Sequence, residues 1–183
     1  GYPFTQVPFT SVKISQNTFW GARLKAAREV TVPLAFSKCE SEHRYKNFDM
    51  AAYTLQHPNH PGLDTKEWDV SKFMGFSFDD TDVYKTIEGA SYILQTYPDK
   101  KLKAYIDSVL DVVGAAQEPD GYLYTARTIN PQHPHGWSGN KRWVKDEELS
   151  HELYNLGHMV DAACAHYQAT GSTKFLNIAK RYA

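Results

Sequence analysis

The sequence lacks most features that mark disulfide-stabilised, membrane-spanning or nucleic-acid-binding proteins. Its two cysteines, Cys39 and Cys164, form no C-x-x-C pattern, so neither a disulfide framework nor a zinc site is indicated. No apolar run approaches the ~20 residues that span a bilayer. The net charge is −1, with lysine and arginine spread along the chain, so no basic patch points to nucleic acid. We therefore predict neither nucleic-acid nor membrane partners.

Local signatures of several enzyme classes are also missing. There is no Gly-rich phosphate loop, no H-E-x-x-H motif and no readable Ser/His/Asp arrangement. The first ten residues lack the basic start and apolar core of a signal peptide. An export signal removed beforehand would leave no trace, so the compartment, cytoplasmic or exported, stays open.

The composition is that of a globular protein with a substantial core. Hydrophobic residues make up 42% of the 183 residues and charged residues 22%. Aromatic residues reach 14%, including 12 tyrosines and 4 tryptophans. This content fits either a large aromatic core or the recognition of sugars, whose faces stack on flat rings, and the composition does not favour one over the other.

Apolar residues at helical spacing predict an all-α fold behind an extended segment at residues 1–16. Asn17 or Thr18 is expected to cap the first helix, which Pro33 bends or ends. Loops are expected at residues 57–68 and 122–148 from their Pro, Gly and Asn content. The other predicted helices, the first of them weakly patterned, cover residues 38–50, 76–97, 99–116, 150–171 and 172–183.

Residues 82–113 and 151–183 share an order of long helix, short polar turn and second helix. Because such helical hairpins cannot bury both faces alone, more copies are expected, as in an α/α toroid or solenoid. The pattern stops within a helix, so we expect residues 17–183 to be the N-terminal portion of a toroid domain truncated at its C-terminal end. Apolar faces left uncovered would favour self-association of such a fragment.

Residues 150–171 combine the clearest helix with an unusual polar stripe. Ser150 is expected to cap its start and Gly171 to end it. His151 and His158 are separated by ~10 Å of helical rise, too far to share one metal ion, so we interpret them as hydrogen-bonding groups for a polar ligand. Asn155 lies between them. The face expected to be buried carries Leu153, Leu156, Val160, Ala163 and Tyr167.

Several carboxylates remain ambiguous from the sequence alone. Asp79, Asp80, Asp82 and Glu88 could include a catalytic pair of a glycoside hydrolase, but acids at a helix start more often act as caps. Glu147 and Glu148 carry the same ambiguity. Tyr122 follows a Pro-Asp-Gly turn and could project its ring over a cleft. The loop histidines at positions 57, 60, 133 and 135 are expected to be solvated.

Four segments together resemble the N-terminal part of the β-L-arabinofuranosidase family of glycoside hydrolases (family 127). They are VKISQNTFWGARL at residues 12–24, FDDTDVYKTIEGASY at 78–92, AAQEPDGYLYT at 115–125 and the stretch beginning SHELYNLGHM at 150. Their order covers nearly the whole chain. No single segment is sufficient to identify the family.

The resemblance implies an (α/α)6 barrel and a retaining, exo-acting glycosidase that removes terminal β-L-arabinofuranose or related sugars. It implies Zn2+ in the full-length enzyme, with a zinc-bound cysteine thiolate as nucleophile and a glutamate as acid/base. Neither Cys39 nor Cys164 stands in that motif, so we expect no catalytic residue and no metal ligand in this segment. By resemblance His151 binds the sugar. Weaker candidates for substrate contact are His158, Asp80, Asp82 and Tyr122.

The leading hypothesis is one wall of a sugar pocket in a segment that is inactive alone. The alternative is a non-catalytic α-helical interaction module or carbohydrate-binding module. A third hypothesis places a catalytic carboxyl group at Glu88 or Glu147.

Overall fold

A computed structural model describes residue 1, residues 3–61 and residues 76–183. These residues form helices, turns and irregular segments, and no β-strand occurs among them. The predicted all-α class is confirmed, while the number of hairpins in a complete toroid stays a prediction. Of the predicted loop at residues 57–68, only positions up to 61 lie within the described part.

The N-terminal segment is less extended than predicted, because a short 3-10 helix at Phe9–Ser11 interrupts it. Helix α1, Phe19–Ala26, begins where Thr18 accepts a hydrogen bond from the Gly21 amide at 3.2 Å. A π-helical stretch, Ala27–Thr31, leads directly into α2, Val32–Ser41. Pro33 therefore does not end the helix: it lies in the first turn of α2, where a missing amide proton is tolerated.

The predicted helical piece at residues 38–50 is two helices. The chain turns at His43, whose backbone is left-handed (φ 62°), and α3 follows at Arg44–Gln56. Helices α4, Asp80–Thr96, and α5, Lys100–Ala115, form the predicted hairpin. Asp99 caps α5 by accepting hydrogen bonds from the amides of Lys101 and Leu102.

The segment between α5 and the next long helix is pinned to the body of the protein rather than free. It contains a short helix α6, Thr125–Thr128, and then a series of turns. The second hairpin follows as α7, Glu152–Thr170, and α8, Lys174–Tyr182. Arg142 ties this segment to the 118–121 turn through ion pairs with Glu118 (2.5 Å) and Asp120 (2.6 Å).

The two hairpins pack side by side, with α4 along α7 and α8 against both α7 and α5. The predicted apolar faces of α5 and α8 are buried, as shown by Ile106 and Phe175. Small side chains such as Ala90, Ala162 and Ala163 let helices approach closely in this core. The start of α7 is thereby fixed between α4 and the 122–150 segment.

The predicted buried face of α7 is wrong. Leu153 and Tyr167 are 58% and 45% exposed, and Val160 is also exposed, whereas Ala163 is buried and Leu156 half-buried. The side of α7 that faces the core carries polar residues as well as small and apolar ones. Its buried members are Glu152, Asn155, Met159, Ala162, Ala163, Ala165 and His166.

The predicted cap of α7 is also wrong. His151, not Ser150, occupies the N-cap position, and its side chain does not cap the helix. In the first turn the Leu153 amide donates a hydrogen bond to the Asp146 carboxylate (2.8 Å). Ser150 is buried and donates its hydroxyl hydrogen to Glu152 instead. Similarly, no side chain caps the first amides of α4, so its acids are engaged in other contacts.

Candidate functional site

A row of seven aromatic and imidazole rings runs past the start of α7. Each ring lies 4.6–5.7 Å, centroid to centroid, from the next. Three parts of the chain contribute to it: the residues just before α4, the loop before α7, and the first two turns of α7. We call these residues the ring row: His135, Trp137, Phe76, Phe78, His151, Tyr154 and His158.

The ring row is accessible from one side. Phe76 and Tyr154 are exposed, and the other five rings are half-buried. Ring faces of this kind stack on the C–H faces of a flat ligand, while their polar atoms hydrogen-bond its edge. The row therefore offers a surface that suits a sugar.

His151 lies between Phe78 and Tyr154 in the row and has an uncommon conformation. Its backbone is left-handed (φ 58°), which few non-glycine residues adopt. The ring Nδ1 lies 2.7 Å from the Leu149 carbonyl oxygen. Because a carbonyl only accepts hydrogen bonds, Nδ1 carries the proton, and in the neutral ring Nε2 is an acceptor. His151 can therefore accept a hydrogen bond from a ligand hydroxyl.

Tyr154 and His158 extend the row along α7. The ammonium group of Lys85 on α4 donates to the Tyr154 hydroxyl at 2.5 Å. Burial lowers the pKa of His158, and the nearby Lys85 charge lowers it further. Its Nδ1 is enclosed and has no hydrogen-bond partner in the described ranges. At neutral pH His158 is therefore an uncharged imidazole beside a cation.

Asp80 and Tyr122, two of the predicted substrate contacts, lie in the interior. Asp80 accepts hydrogen bonds from the Thr125 amide (2.9 Å) and hydroxyl (2.6 Å), and burial raises its pKa to about 7. Tyr122 donates its hydroxyl hydrogen to Glu152, and burial raises the pKa of this phenol. Neither residue belongs to the ring row.

Asp82 lies outside the row as well, paired with Arg44 of α3 at 2.7 Å. Of the five predicted substrate residues, the structure thus brings His151 and His158 together in the row and places Asp80, Asp82 and Tyr122 apart from it. A contact of any of the five with substrate stays a prediction.

Sequence reasoning missed most of the ring row. Tyr154 had a usable signal, because it lies three residues after His151 and four before His158, on the same helical face. Phe76, Phe78 and Trp137 had none, since no periodic pattern links the loop before α4 with the loop before α7. His135 was expected to be a solvated loop residue and instead packs its ring against Trp137.

The described residues do not suit a zinc site. In residues 3–61 and 76–183, no three His, Cys, Asp or Glu side chains are grouped so that they could hold a metal ion. Cys39 is buried against the Thr86 hydroxyl, and burial raises the pKa of its thiol, which disfavours the thiolate that a metal requires. Cys164 lies exposed on α7. Within the same ranges, no helix is both long and apolar enough to cross a membrane.

A cavity of about 770 Å3 lies away from the ring row, between α2 and the start of α5. Its lining includes Arg28, Phe36, Tyr97 and Tyr105, and none of the predicted site residues. We therefore build the candidate site on the ring row rather than on this cavity.

Comparison with known proteins agrees with the resemblance found in the sequence. The model of the β-L-arabinofuranosidase GH127 catalytic domain matches residues 11–183. A non-reducing end β-L-arabinofuranosidase of Bifidobacterium longum subsp. longum is 40% identical over 112 residues, which are 61% of this chain and 16% of that protein. The chain thus spans about one sixth of this curated relative.

Two solved structures show the same helical arrangement. A GH127 β-arabinofuranosidase is 66% identical with a TM-score of 0.88, and the match covers 100% of this chain and 26% of that one. A GH127 β-L-arabinofuranosidase from Geobacillus stearothermophilus T6 is 32% identical with a TM-score of 0.73, covering 90% of this chain and 24% of its own. The chain belongs to the GH127 β-L-arabinofuranosidase family of glycoside hydrolases, and the match to the catalytic domain of that family runs over residues 11–183.

Proposed function

We propose that this chain supplies one wall of the sugar pocket in a retaining exo-glycosidase that removes terminal β-L-arabinofuranose residues or related sugars. The observation that carries the proposal is the family match over residues 11–183, within which the ring row surrounds His151. The sugar and the exo mode are those of its relatives, which include the non-reducing end β-L-arabinofuranosidase of the bifidobacterium.

The ring row provides two kinds of contact for such a sugar. Exposed ring faces of Phe76 and Tyr154 cover its apolar side, and Nε2 of His151 accepts a hydrogen bond from one of its hydroxyl groups. His158, kept neutral by its surroundings, adds a hydrogen-bonding group without adding charge. A partly aromatic surface that carries hydrogen-bonding groups suits an uncharged furanose.

We place neither the nucleophile nor the acid/base within residues 1–183. Burial raises the pKa of the Cys39 thiol despite its contact with the Thr86 hydroxyl, which disfavours the thiolate that a nucleophile requires. Glu88 accepts a hydrogen bond from Tyr92, and Glu147 is exposed in a surface turn. Zinc, which the resemblance implies for family members, finds no ligand set in the described part of the chain, so no step here passes through it.

Binding of L-arabinose is expected to stabilise the protein through His151. A ligand at 100 times its dissociation constant adds about 2.7 kcal/mol to the free energy of unfolding, which thermal denaturation resolves as a rise in Tm. His151→Ala should abolish most of that rise. D-arabinose is the control ligand, because it has the same size and polarity in mirror image. An equal rise with both sugars, or one unaffected by His151→Ala, would count against the proposed pocket.

The 183-residue chain alone is expected to release no sugar from p-nitrophenyl β-L-arabinofuranoside, because the proposed catalytic groups lie outside it. The measurement is p-nitrophenol release by protein purified from a host without such an enzyme. Turnover that disappears in Glu88→Gln or Glu147→Gln would instead locate a catalytic carboxyl group in this chain.

A further inference from the structure

The residues that flank His151 are held by a buried network. Three successive carbonyl oxygens, those of residues 149, 150 and 151, each accept a hydrogen bond from a side chain. The Leu149 carbonyl accepts from Ser77 (2.6 Å), the Ser150 carbonyl from Tyr124 (2.6 Å) and the His151 carbonyl from Asn155 (2.7 Å). These three side chains restrain the connection that leads into α7.

Glu152, the first residue of α7, is the centre of this network. Its side chain is fully buried, and its carboxylate accepts three hydrogen bonds. One comes from the Tyr122 hydroxyl (2.5 Å), one from the Trp143 amide (2.8 Å) and one from the Ser150 hydroxyl (3.0 Å). The Glu152 carboxylate thus links Tyr122, which precedes α6, and Trp143, in the segment before α7, to Ser150, the residue that precedes His151.

We propose that Glu152 and Asn155 are positioning residues that hold His151 in its left-handed conformation and aim Nε2 at the sugar. A non-glycine residue keeps such a conformation only where its surroundings enforce it. Asn155 fixes the carbonyl of His151, and Glu152 fixes Ser150, so the backbone on both sides of the His151 Cα is restrained. The identity of the ligand as a sugar rests on the proposed function, whereas the restraint itself does not.

The orientation of the ring depends on the same network. Nδ1 donates to the Leu149 carbonyl, and the Ser77 hydroxyl fixes the position of that carbonyl. If residues 149–151 relax, the ring loses its acceptor and the two imidazole tautomers become comparable in energy. Nε2 then carries a proton part of the time and no longer serves as a dependable acceptor.

The test compares Glu152→Gln and Asn155→Ala with Thr54→Val. In Glu152→Gln the amide cannot accept all three hydrogen bonds. Asn155→Ala removes the side-chain donor to the His151 carbonyl (2.7 Å) and to the Ser77 carbonyl (3.4 Å), and leaves only the backbone amide of residue 155 on the His151 carbonyl (2.9 Å). The control removes the buried hydrogen bonds from the Thr54 hydroxyl to the carbonyls of Met50 (3.1 Å) and Ile129 (2.6 Å), so it disturbs the core through α3 rather than through residues 149–155. The first readout is the long-range 1H–15N spectrum of the His151 ring, assigned with His151→Gln. The second is kcat and KM on a terminal β-L-arabinofuranoside, measured with the same variants in the full-length enzyme that contains this chain.

We expect the Nδ1–H tautomer in the native protein and in Thr54→Val, and mixed tautomers in both network variants. We expect kcat/KM to fall about 10–100-fold in the network variants, since a misplacement of about 1 Å costs on that order, and less than about twofold in the control. Native tautomer signals in Asn155→Ala, with kinetics equal to the control, would overturn the proposal even if Glu152→Gln fails to fold. If the full-length enzyme does not act on the sugar, the proposed function fails while the spectra still decide the positioning role.

Discussion

Replacing Gly121 by alanine is expected to lower the free energy of unfolding by about 2–5 kcal/mol, because backbone strain and overpacking add at this position. The backbone of Gly121 has φ +100°, a conformation that residues with a side chain rarely adopt. An added Cβ would lie 1.8 Å from the carbonyl oxygen of Arg181 near the end of α8, far inside contact distance. Since backbone rather than a flexible side chain is in the way, the turn or α8 has to move. Urea unfolding measures the loss.

Two other glycines separate the contributions. Gly171, at the end of α7, has φ +72° with nothing within 4 Å of the added Cβ, so Gly171→Ala measures strain alone, about 1–2 kcal/mol. Gly89, inside α4, has neither positive φ nor a close contact, so Gly89→Ala should stabilise the protein by roughly 0.5–1 kcal/mol. If Gly121→Ala lowers the free energy of unfolding no more than Gly171→Ala does, the close approach of the 118–121 turn to α8 would be contradicted.

The fold was predictable where one face of a helix is apolar and the other is not. In α5 the apolar residues Ile106, Val109 and Val113 recur at helical spacing and are all buried, and in α8 the same holds for Phe175 and Tyr182. Because polar residues occupy the opposite face of each of these helices, only the apolar face could be the buried one. Caps were predictable for the same local reason at Thr18 and Asp99.

Prediction failed at α7 because this helix carries apolar residues on both sides. Periodicity then favours the face with the larger side chains, which in the structure is the exposed one, including Leu153. The core selected the side with small residues and with polar groups, Glu152 and Asn155, that find partners on other segments. Burial of a carboxylate is stable only when it is hydrogen-bonded, and those partners are distant in sequence.

The candidate site could likewise be predicted only in part. His151 was accessible to sequence reasoning because it belongs to a polar stripe on one helix and to a motif shared with a family. Its left-handed backbone was not, since that conformation follows from contacts with Ser77, Tyr124 and Asn155 rather than from its neighbours in the chain. The rings of Phe76 and Trp137 join the row only once three segments have folded together.

Opposing titrations in the core give the second large prediction. Burial raises the pKa of Asp80 to about 7, and that of Asp79 to about 6, despite stabilising contacts with neighbouring groups. Between pH 4 and 7 the native state therefore binds more protons at these carboxyl groups than the unfolded chain does. Their contribution to stability is present at acid pH and lost as pH rises through these values.

The titration of His166 has the opposite effect on the pH dependence of stability. Its ring is fully buried on α7, and neither nitrogen has a hydrogen-bond partner among the residues that the structure describes. Burial lowers its pKa; of its charged neighbours, Asp107 opposes this shift and Lys103 and Lys174 reinforce it. The unfolded state then binds more protons at this position, so stability is lost as pH falls below the ordinary histidine value of about 6.5.

Because the two effects oppose each other, removing one should expose the other, each with a limiting slope of about 1.4 kcal/mol per pH unit. His166→Leu should make the free energy of unfolding decrease more steeply as pH rises from 5 to 7. Asp80→Asn, which keeps an acceptor for the Thr125 amide, should raise stability at pH 7.5 relative to pH 5.5. The exposed Glu147→Gln controls for the change of one charge. Urea unfolding at half-unit pH steps measures the free energy of unfolding of all three variants. If its pH dependence in both core variants ran parallel to that of the native protein, neither group would titrate in the core as its burial requires.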